Sequence, residues 1–135
     1  MSNSETSAEK VIQGMLGEWK RSMLTFWVLS LLQIRPMYGL EIKKEIESST
    51  QGKMTLGVST IYPLLRRLEK RGLVESDWER TTQGPPRAYY QTTPAGREVL
   101  RRYLEEVFLP GSPIAAALGE LMGRLFQQFP ELMQR

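Results

Sequence analysis

Apolar residues recur at helical spacing in the central stretch between Gly57 and Gly72. Four of them occupy positions i, i+3, i+4 and i+7, which share one face of an α-helix: Ile61, Leu64, Leu65 and Leu68. The pattern predicts a helix that is capped by Ser59 or Thr60 and ended by Gly72, because glycine readily adopts the left-handed conformation that closes a helix. Pro63 is then its third or fourth residue, where proline is tolerated.

The opposite side of this predicted helix is basic and nearly free of acid. Its polar and flanking residues are Ser59, Thr60, Tyr62, Arg66, Arg67 and Lys70, and Glu69 is its only carboxylate. Such a face is most often simply solvated. A basic face that can enter a groove is also one signature of nucleic-acid recognition.

Two apolar segments and a shorter helix precede the basic helix. Residues 11–19 carry apolar side chains at helical spacing, and residues 23–33 are apolar on most sides, which predicts a helix buried on most sides. The polar residues 20–22 between them mark either a break between two helices or one turn of a long one. A helix over residues 39–48 and the helix over residues 59–71 together predict a helix-turn-helix with a lengthened turn.

The periodicity changes from helical to alternating after Gly72. Val74, Ser76 and Trp78 alternate with acidic residues, and a second β-rich run covers residues 87–92. A Gly-Pro turn separates the two runs, which together predict a β-hairpin.

Two helices follow the hairpin. Thr93 is a suitable N-cap, and the helix it starts is predicted to run to about Phe108. Ser112 caps a last helix, whose apolar side chains form one stripe: Ile114, Leu118, Leu121, Met122, Leu125 and Phe129. The order of these elements predicts a mainly α fold with a small β-hairpin, the winged helix-turn-helix. In that fold the third helix can lie in the major groove of DNA while the wing touches the flanking phosphates.

Positive charge is concentrated in the part of the chain that holds the basic helix and the hairpin. The 135 residues include 18 Lys and Arg and 15 Asp and Glu, a net charge of +3. Residues 59–102 hold nine cations and five anions, a net charge of +4, whereas the remainder holds nine and ten, a net charge of −1. A focused positive surface is expected of a protein that binds a polyanion. Lys44, Lys70, Arg80 and Arg87 are therefore predicted to be phosphate contacts or solvated bystanders.

Composition excludes several classes of chemistry. The chain has no cysteine and no histidine, which removes disulfides, the common zinc and haem ligand sets, and Cys- or His-based catalysis. We therefore expect no metal, no cofactor, no catalytic residues and no enzymatic activity. No targeting signal is evident, and the apolar run of residues 23–34 is shorter than the about 20 residues that a membrane span needs. These features predict a cytoplasmic protein.

Three ordered motifs resemble the PadR family of transcriptional regulators. They are Tyr38-Gly-Leu-Glu-Ile, the run from Ser59 to Val74 and the run from Gly84 to Arg97, within a matching region of about residues 24–103. The resemblance implies a homodimeric winged-helix repressor that binds a palindromic operator, with the helix after the wing in the dimer interface. Carried over by position, it implies that one set of residues faces double-stranded DNA: Tyr38, Ser59, Thr60, Tyr62 and Arg66, with Arg87 in the wing.

The resemblance also suggests a weaker wing and an effector site. Ala88 and Thr92 stand where the family often has a basic residue and a leucine, which implies a weaker contact from the wing. Some members bind flat aromatic or cationic drugs at the dimer interface, and the candidate lining residues here are Met15, Trp19, Met23, Trp27, Met37 and Phe108. Core and interface packing is the simpler explanation of these side chains, and the favoured one.

These inferences divide the chain into three parts: an N-terminal extension (residues 1–21), a winged helix-turn-helix (residues 22–93) and C-terminal dimerisation helices (residues 94–135). The predicted function is operator-specific DNA binding as a homodimer, with release by a small aromatic or hydrophobic effector. The alternative is a winged-helix protein-interaction or accessory module without operator specificity.

Overall fold

The computed structural model describes residues 3–79 and 84–134. In chain order, its helices and strands are α1 (Asn3–Ile34), β1 (Met37–Tyr38), α2 (Gly39–Ser49), α3 (Val58–Lys70), β2 (Val74–Glu79), β3 (Arg87–Thr92), α4 (Pro94–Tyr103) and α5 (Pro113–Gln128). A π-helical turn, Leu104–Phe108, continues α4, and a 3₁₀ helix, Pro130–Gln134, follows α5. The predicted mainly α fold with a small β-hairpin is confirmed. The chain is divided between Arg97 and Glu98 into two compact units, called here the N-terminal unit and the C-terminal unit.

The core of the N-terminal unit is built from three helices and the sheet. The predicted apolar stripe of α3 is buried: Ile61, Leu64, Leu65 and Leu68. The other helices contribute Leu24, Val28, Leu29 and Leu32 from α1 and Ile42 and Ile46 from α2. Removal of these side chains from water is the main source of stability for this unit.

α1 is one continuous helix from Asn3 to Ile34. Residues 20–22 are therefore one turn of a long helix and not a break, which decides between the two alternatives that the sequence left open. The predicted boundary between residues 21 and 22 lies inside this helix. The N-terminal half of α1 carries exposed apolar side chains: Val11, Ile12, Met15, Leu16 and Trp19.

α3 begins earlier than the hydroxyl residues predict. Its N-cap is Gly57, whose carbonyl oxygen accepts a hydrogen bond from the N–H of Thr60 (3.0 Å). The predicted cap at Ser59 or Thr60 is therefore wrong, and both residues lie in the first turn. Pro63 is the sixth helical residue, so it removes the N–H that would otherwise bond to the carbonyl of Ser59. The helix ends as predicted before Gly72, which has a φ of 77°.

Tertiary contacts in the turn before α3 explain this early start. The Glu47 carboxylate accepts hydrogen bonds from Lys43 Nζ (2.8 Å) and from the backbone N–H of Leu56 (2.9 Å). These two hydrogen bonds, the one from Lys43 first, lower the pKa of Glu47 below its usual value of 4.5. Met54 and Leu56 are also buried. The turn is thus anchored at its end, and the helix begins at Val58 without a side-chain cap.

A third strand that the sequence did not reveal joins the hairpin. The strands are antiparallel in the order β1-β3-β2. Met37 lies opposite Tyr90, and Tyr38 lies opposite Tyr89. We call β2, β3 and the residues that connect them the wing. β1 ties the start of α2 directly to the wing.

Thr93 joins the wing to α4. Its Oγ1 accepts a hydrogen bond from the N–H of Gly96 (3.1 Å), which confirms the predicted cap, and its hydroxyl donates to the carbonyl of Gly72 (2.6 Å). Gly96 is buried, and a Cβ at this position would overlap the carbonyl oxygen of Leu73. The first turn of α4 therefore packs closely on the segment that follows α3.

The C-terminal unit has the predicted elements with one difference. The α-helix that was predicted to reach Phe108 ends at Tyr103, and a π-helical turn carries the chain on to Phe108. Ser112 caps α5 as predicted, because its Oγ accepts a hydrogen bond from the N–H of Ala115 (3.3 Å). The predicted apolar stripe of α5 is exposed to solvent: Ile114, Leu118, Leu121, Met122, Leu125 and Phe129.

Candidate nucleic-acid interface

The polar face of α3 is open to solvent. Its exposed residues are Ser59, Thr60, Arg66, Arg67 and Lys70, and Tyr62 is half-buried. They lie away from the buried stripe, because helical periodicity separates the two sets of positions. α3 therefore presents three cations on a helix whose other face is anchored in the core.

The single carboxylate of α3 points to the flank that faces the sheet. Glu69 accepts a hydrogen bond from the hydroxyl of Ser76 on β2 (2.5 Å). Burial, and next the nearby Glu69 carboxylate, raise the pKa of Tyr90 in β3. The hydrogen bond to Ser76 holds the negative charge of Glu69 beside the wing.

Tyr62 rests on the first residue of α2. A Cβ on Gly39 would lie 2.7 Å from Cε1 of the Tyr62 ring, closer than real Cβ contacts allow. Glycine at this position therefore lets the aromatic ring approach the backbone of α2. The motif Tyr38-Gly39 thus supplies both a predicted contact residue and the space that positions another.

Tyr38 and Arg87 meet on one face of the sheet although they are distant in sequence. The ring centroids of Tyr38 and Tyr89 are 5.5 Å apart in an edge-to-face arrangement. Cζ of Arg87 lies 4.6 Å from the centroid of the Tyr38 ring. This cation–π contact orients the guanidinium of Arg87, and it depends on β1, which places Tyr38 beside β3.

A groove of about 440 Å³ lies between the start of α2, Tyr62 of α3 and the wing. Three predicted contact residues line it: Tyr38, Tyr62 and Arg87. Leu40 and Trp78 line it as well. The sequence did not indicate Leu40 or Trp78 as groove residues, because each belongs to a regular helical or alternating pattern. Neighbouring residues do not show that either side chain lines a groove.

The remaining predicted contacts lie outside this groove lining. Lys44 is exposed on α2, and the other residues are those of the polar face of α3. Arg80 lies outside the described residues. The structure therefore places Tyr38, Tyr62 and Arg87 in the groove lining and the other predicted residues of α3 on its outward face, while Lys44 lies apart on α2.

The predicted effector-site residues occupy different environments. Trp19, Met23 and Trp27 are spaced four residues apart on α1 and share one side of that helix. Trp19 is exposed, and the other two are half-buried. Met37 is buried in β1, and Phe108 is about half exposed in the C-terminal unit. Neither the groove nor its neighbouring cavity beside Pro36 is lined by these residues.

The part of the chain that the structure describes contains neither a candidate metal site nor a helix suited to span a membrane. Residues 3–79 and 84–134 contain no cluster of three or more His, Cys, Asp or Glu side chains able to hold a metal ion. In the same ranges, no helix combines the length and the apolar character needed to cross a bilayer.

Two relatives are similar to most of the chain. A transcriptional regulator of Mycobacterium tuberculosis is 34% identical over 93 residues, which cover 67% of this chain and 83% of the relative. The crystal structure of a PadR family transcriptional regulator from Eggerthella lenta has a TM-score of 0.67 and 30% identity, and the match covers 90% of this chain and 96% of that one.

The fold is also that of a regulator whose structure contains DNA. The structure of Bacillus subtilis PadR in complex with operator DNA has a TM-score of 0.57 and 22% identity, covering 65% of this chain and 49% of that chain. The model of the transcriptional regulator PadR-like family matches residues 28–102, more than half of the chain. The winged helix-turn-helix, its motifs and this match together show that the protein belongs to the PadR-like family of transcriptional regulators.

Proposed function

We propose that this protein binds a specific DNA sequence as a homodimer and acts as a transcriptional repressor. The observation that carries the proposal is the exposed basic face of α3, which stands on a buried apolar stripe within a winged helix-turn-helix. A helix with such a face fits the major groove, which is about 12 Å wide. The shared fold of Bacillus subtilis PadR, solved with operator DNA, supports the same mode of docking here.

In this mode the contact residues divide into two roles. Tyr62 and Arg66 reach base edges, and the guanidinium of Arg66 suits a bidentate contact with guanine. Ser59 and Thr60 lie in the first turn of α3, where their exposed hydroxyls suit a phosphate. The proposed phosphate contacts are Tyr38, Lys44, Arg67, Lys70, Arg80 and Arg87.

Two exposed apolar stripes support the homodimer. One lies on α5 and the other on the N-terminal half of α1. Contiguous exposed apolar surface of this kind marks interaction sites. A two-fold axis would place two copies of α3 about 34 Å apart, one turn of B-DNA, and the operator would then be palindromic.

The dimer can be tested through α5. Leu121→Glu puts a charge into the exposed stripe, where a partner subunit would have to bury it. We expect the molar mass from light scattering to fall by half while the helical circular dichroism is retained. An unchanged mass would show that the stripe of α5 lies outside the interface.

An aromatic effector would bind at the part of the dimer interface that α1 forms. Trp19 and Trp27 lie on the same side of α1, and indole rings suit stacking against a planar ligand. A ligand bound between subunits would change the spacing of the two α3 helices and release the operator. Titration with planar aromatic compounds should quench tryptophan fluorescence and lower DNA affinity together. Quenching that survives both Trp19→Phe and Trp27→Phe would place the ligand elsewhere.

Selection of bound sequences from random duplex DNA tests the function as a whole. The expected result is a palindrome whose half-sites are separated by about 10 base pairs and which is bound at least about 10³-fold more tightly than random DNA. The alternative function, a protein-interaction or accessory module, predicts similar binding to selected and random duplexes at physiological salt. That result would replace the proposed function by the alternative.

A further inference from the structure

Trp78 lies on the wing with 68% of its surface exposed. It shares one face of β2 with Val74 and Ser76, since alternate residues of a strand point to the same side. Val74 is only 2% exposed, and Ser76 is half-buried. This face of β2 is therefore buried at Val74, half-buried at Ser76 and exposed at Trp78.

The residue opposite Trp78 is too small to cover it. The strand register pairs Trp78 with Ala88. A large cross-strand partner would pack against the indole, whereas the methyl group of Ala88 leaves most of it open. An indole exposed in this way is unfavourable in the free protein and available to a ligand.

The groove beside Trp78 combines aromatic surface with positive charge. Tyr62 lines it together with Trp78, and Arg87 is the one charged residue among the described residues of its lining. Asp77 and Glu79 of β2 line a separate cavity of about 180 Å³ on the face of the sheet opposite to Trp78, where Glu79 is the cross-strand partner of Arg87. The groove therefore suits a ligand that is apolar in one part and anionic in the next.

We propose that Trp78 is a further DNA contact, whose indole packs on a deoxyribose of the strand that passes between the wing and α3. The inference rests on the proposed function, because Tyr62 and Arg87 on either side of the groove are proposed contacts of the same duplex. The sugar supplies the apolar surface that Trp78 covers, and the adjoining phosphate supplies the charge that Arg87 meets. A sugar contact adds affinity for any sequence.

Affinity measurements distinguish a sugar contact made by Trp78 from a phosphate contact made by a cation. Trp78→Ala should weaken binding about tenfold, and equally for selected and random duplexes, because sugars carry no sequence information. The salt dependence should remain that of the wild type, whereas Arg87→Ala should lower the salt slope by about one unit. Ile34→Ala is the matched control, since Ile34 is an exposed apolar residue outside the groove lining and should bind as the wild type. Wild-type affinity of Trp78→Ala would overturn the inference.

Fluorescence gives a second measurement that does not depend on truncating Trp78. The chain has three tryptophans, so Trp19→Phe with Trp27→Phe leaves Trp78 as the sole emitter. Duplex DNA should shield it from quenching by acrylamide, whereas the protein that retains only Trp19 should show no shielding. If anisotropy of a labelled duplex reports binding while Trp78 stays as accessible as before, the inference is overturned and the proposed function stands. If the wild type binds no duplex at all, the proposed function itself fails.

Discussion

α3 and α5 carry the same kind of apolar stripe but meet opposite environments. The stripe of α3, centred on Leu65, is 0–5% exposed, whereas the stripe of α5, centred on Leu121, is 43–52% exposed. Both stripes follow helical spacing equally well. Periodicity therefore identifies the side chains that share a face, while other elements decide whether anything covers that face.

The two units differ in whether their own residues can bury an apolar helix stripe. The N-terminal unit covers the stripe of α3 with α2 and the sheet. The C-terminal unit holds only residues 98–135, and units below about 40 residues rarely bury enough apolar surface without a partner. The proposed homodimer would cover the open stripe of α5.

Truncation of one leucine in each stripe tests this contrast with the largest effect. Leu65→Ala should lower the free energy of unfolding by about 2–5 kcal/mol, because it leaves a cavity in the core. Leu121→Ala should cost less than about 1 kcal/mol within one chain. Urea unfolding at several protein concentrations measures both. Equal losses that do not depend on concentration would show that the stripe of α5 is covered within its own chain, as that of α3 is.

Two glycine substitutions test how closely the backbone is packed in each unit. Gly96→Ala should destabilise by about 1–3 kcal/mol, because its Cβ would overlap the carbonyl oxygen of Leu73. Gly119→Ala on α5 meets no atom within 4 Å and should stabilise the helix by up to about 1 kcal/mol. Thermal unfolding checks the opposite signs. A loss of molar mass in Gly119→Ala would instead locate a close subunit contact at this turn of α5.

Substitution of one exposed arginine on α3 and one on α5 tests whether DNA affinity depends on α3 alone. Arg66→Ala should weaken binding to the selected duplex by about 1–3 kcal/mol, since a base contact is lost and specificity at that position relaxes. Arg124→Ala removes an exposed cation from α5 and should leave affinity unchanged. Fluorescence anisotropy with labelled duplex measures both variants. Unchanged binding by Arg66→Ala would remove Arg66 from the interface.

The smallest expected effect concerns the turn that precedes α3. Glu47 has a lowered pKa in the folded protein, first through its hydrogen bond from Lys43, so the unfolded chain takes up its proton at a higher pH. The stability from this carboxylate is therefore present above the unfolded value of 4.5 and is lost as the pH falls through the lowered folded value. The urea midpoint should fall less between neutral and acidic pH for Glu47→Gln than for the wild type. Glu120→Gln, at an exposed position of α5, should keep the wild-type profile.

Much of the fold followed from local chemistry. The stripe of α3, its stop at Gly72 and the caps at Thr93 and Ser112 were all predicted, because each depends on residues a few positions apart. The solvent exposure of Arg66 followed from the same periodicity. The start of α3 was missed because Glu47 and two buried side chains anchor the preceding turn, and no local pattern records that anchoring.

The candidate groove depended on distant pairings. β1 is two residues long and exists because Met37 and Tyr38 pair with β3, which no strand pattern in so short a segment could indicate. That pairing brings Tyr38 under Arg87 and sets the start of α2 beside the wing. Trp78 belonged to an alternating run in the sequence, and its exposure followed only from how far the sheet extends beyond the core.

The sequence by itself determined the helices, the hairpin, the basic face of α3 and the family, because propensity, periodicity and motif spacing are properties of neighbouring residues. Only the tertiary structure decided which stripes are covered, where α3 begins and which side chains share the groove. Those features arise from contacts between residues far apart in the chain, and their free energy is gained only when the elements pack together.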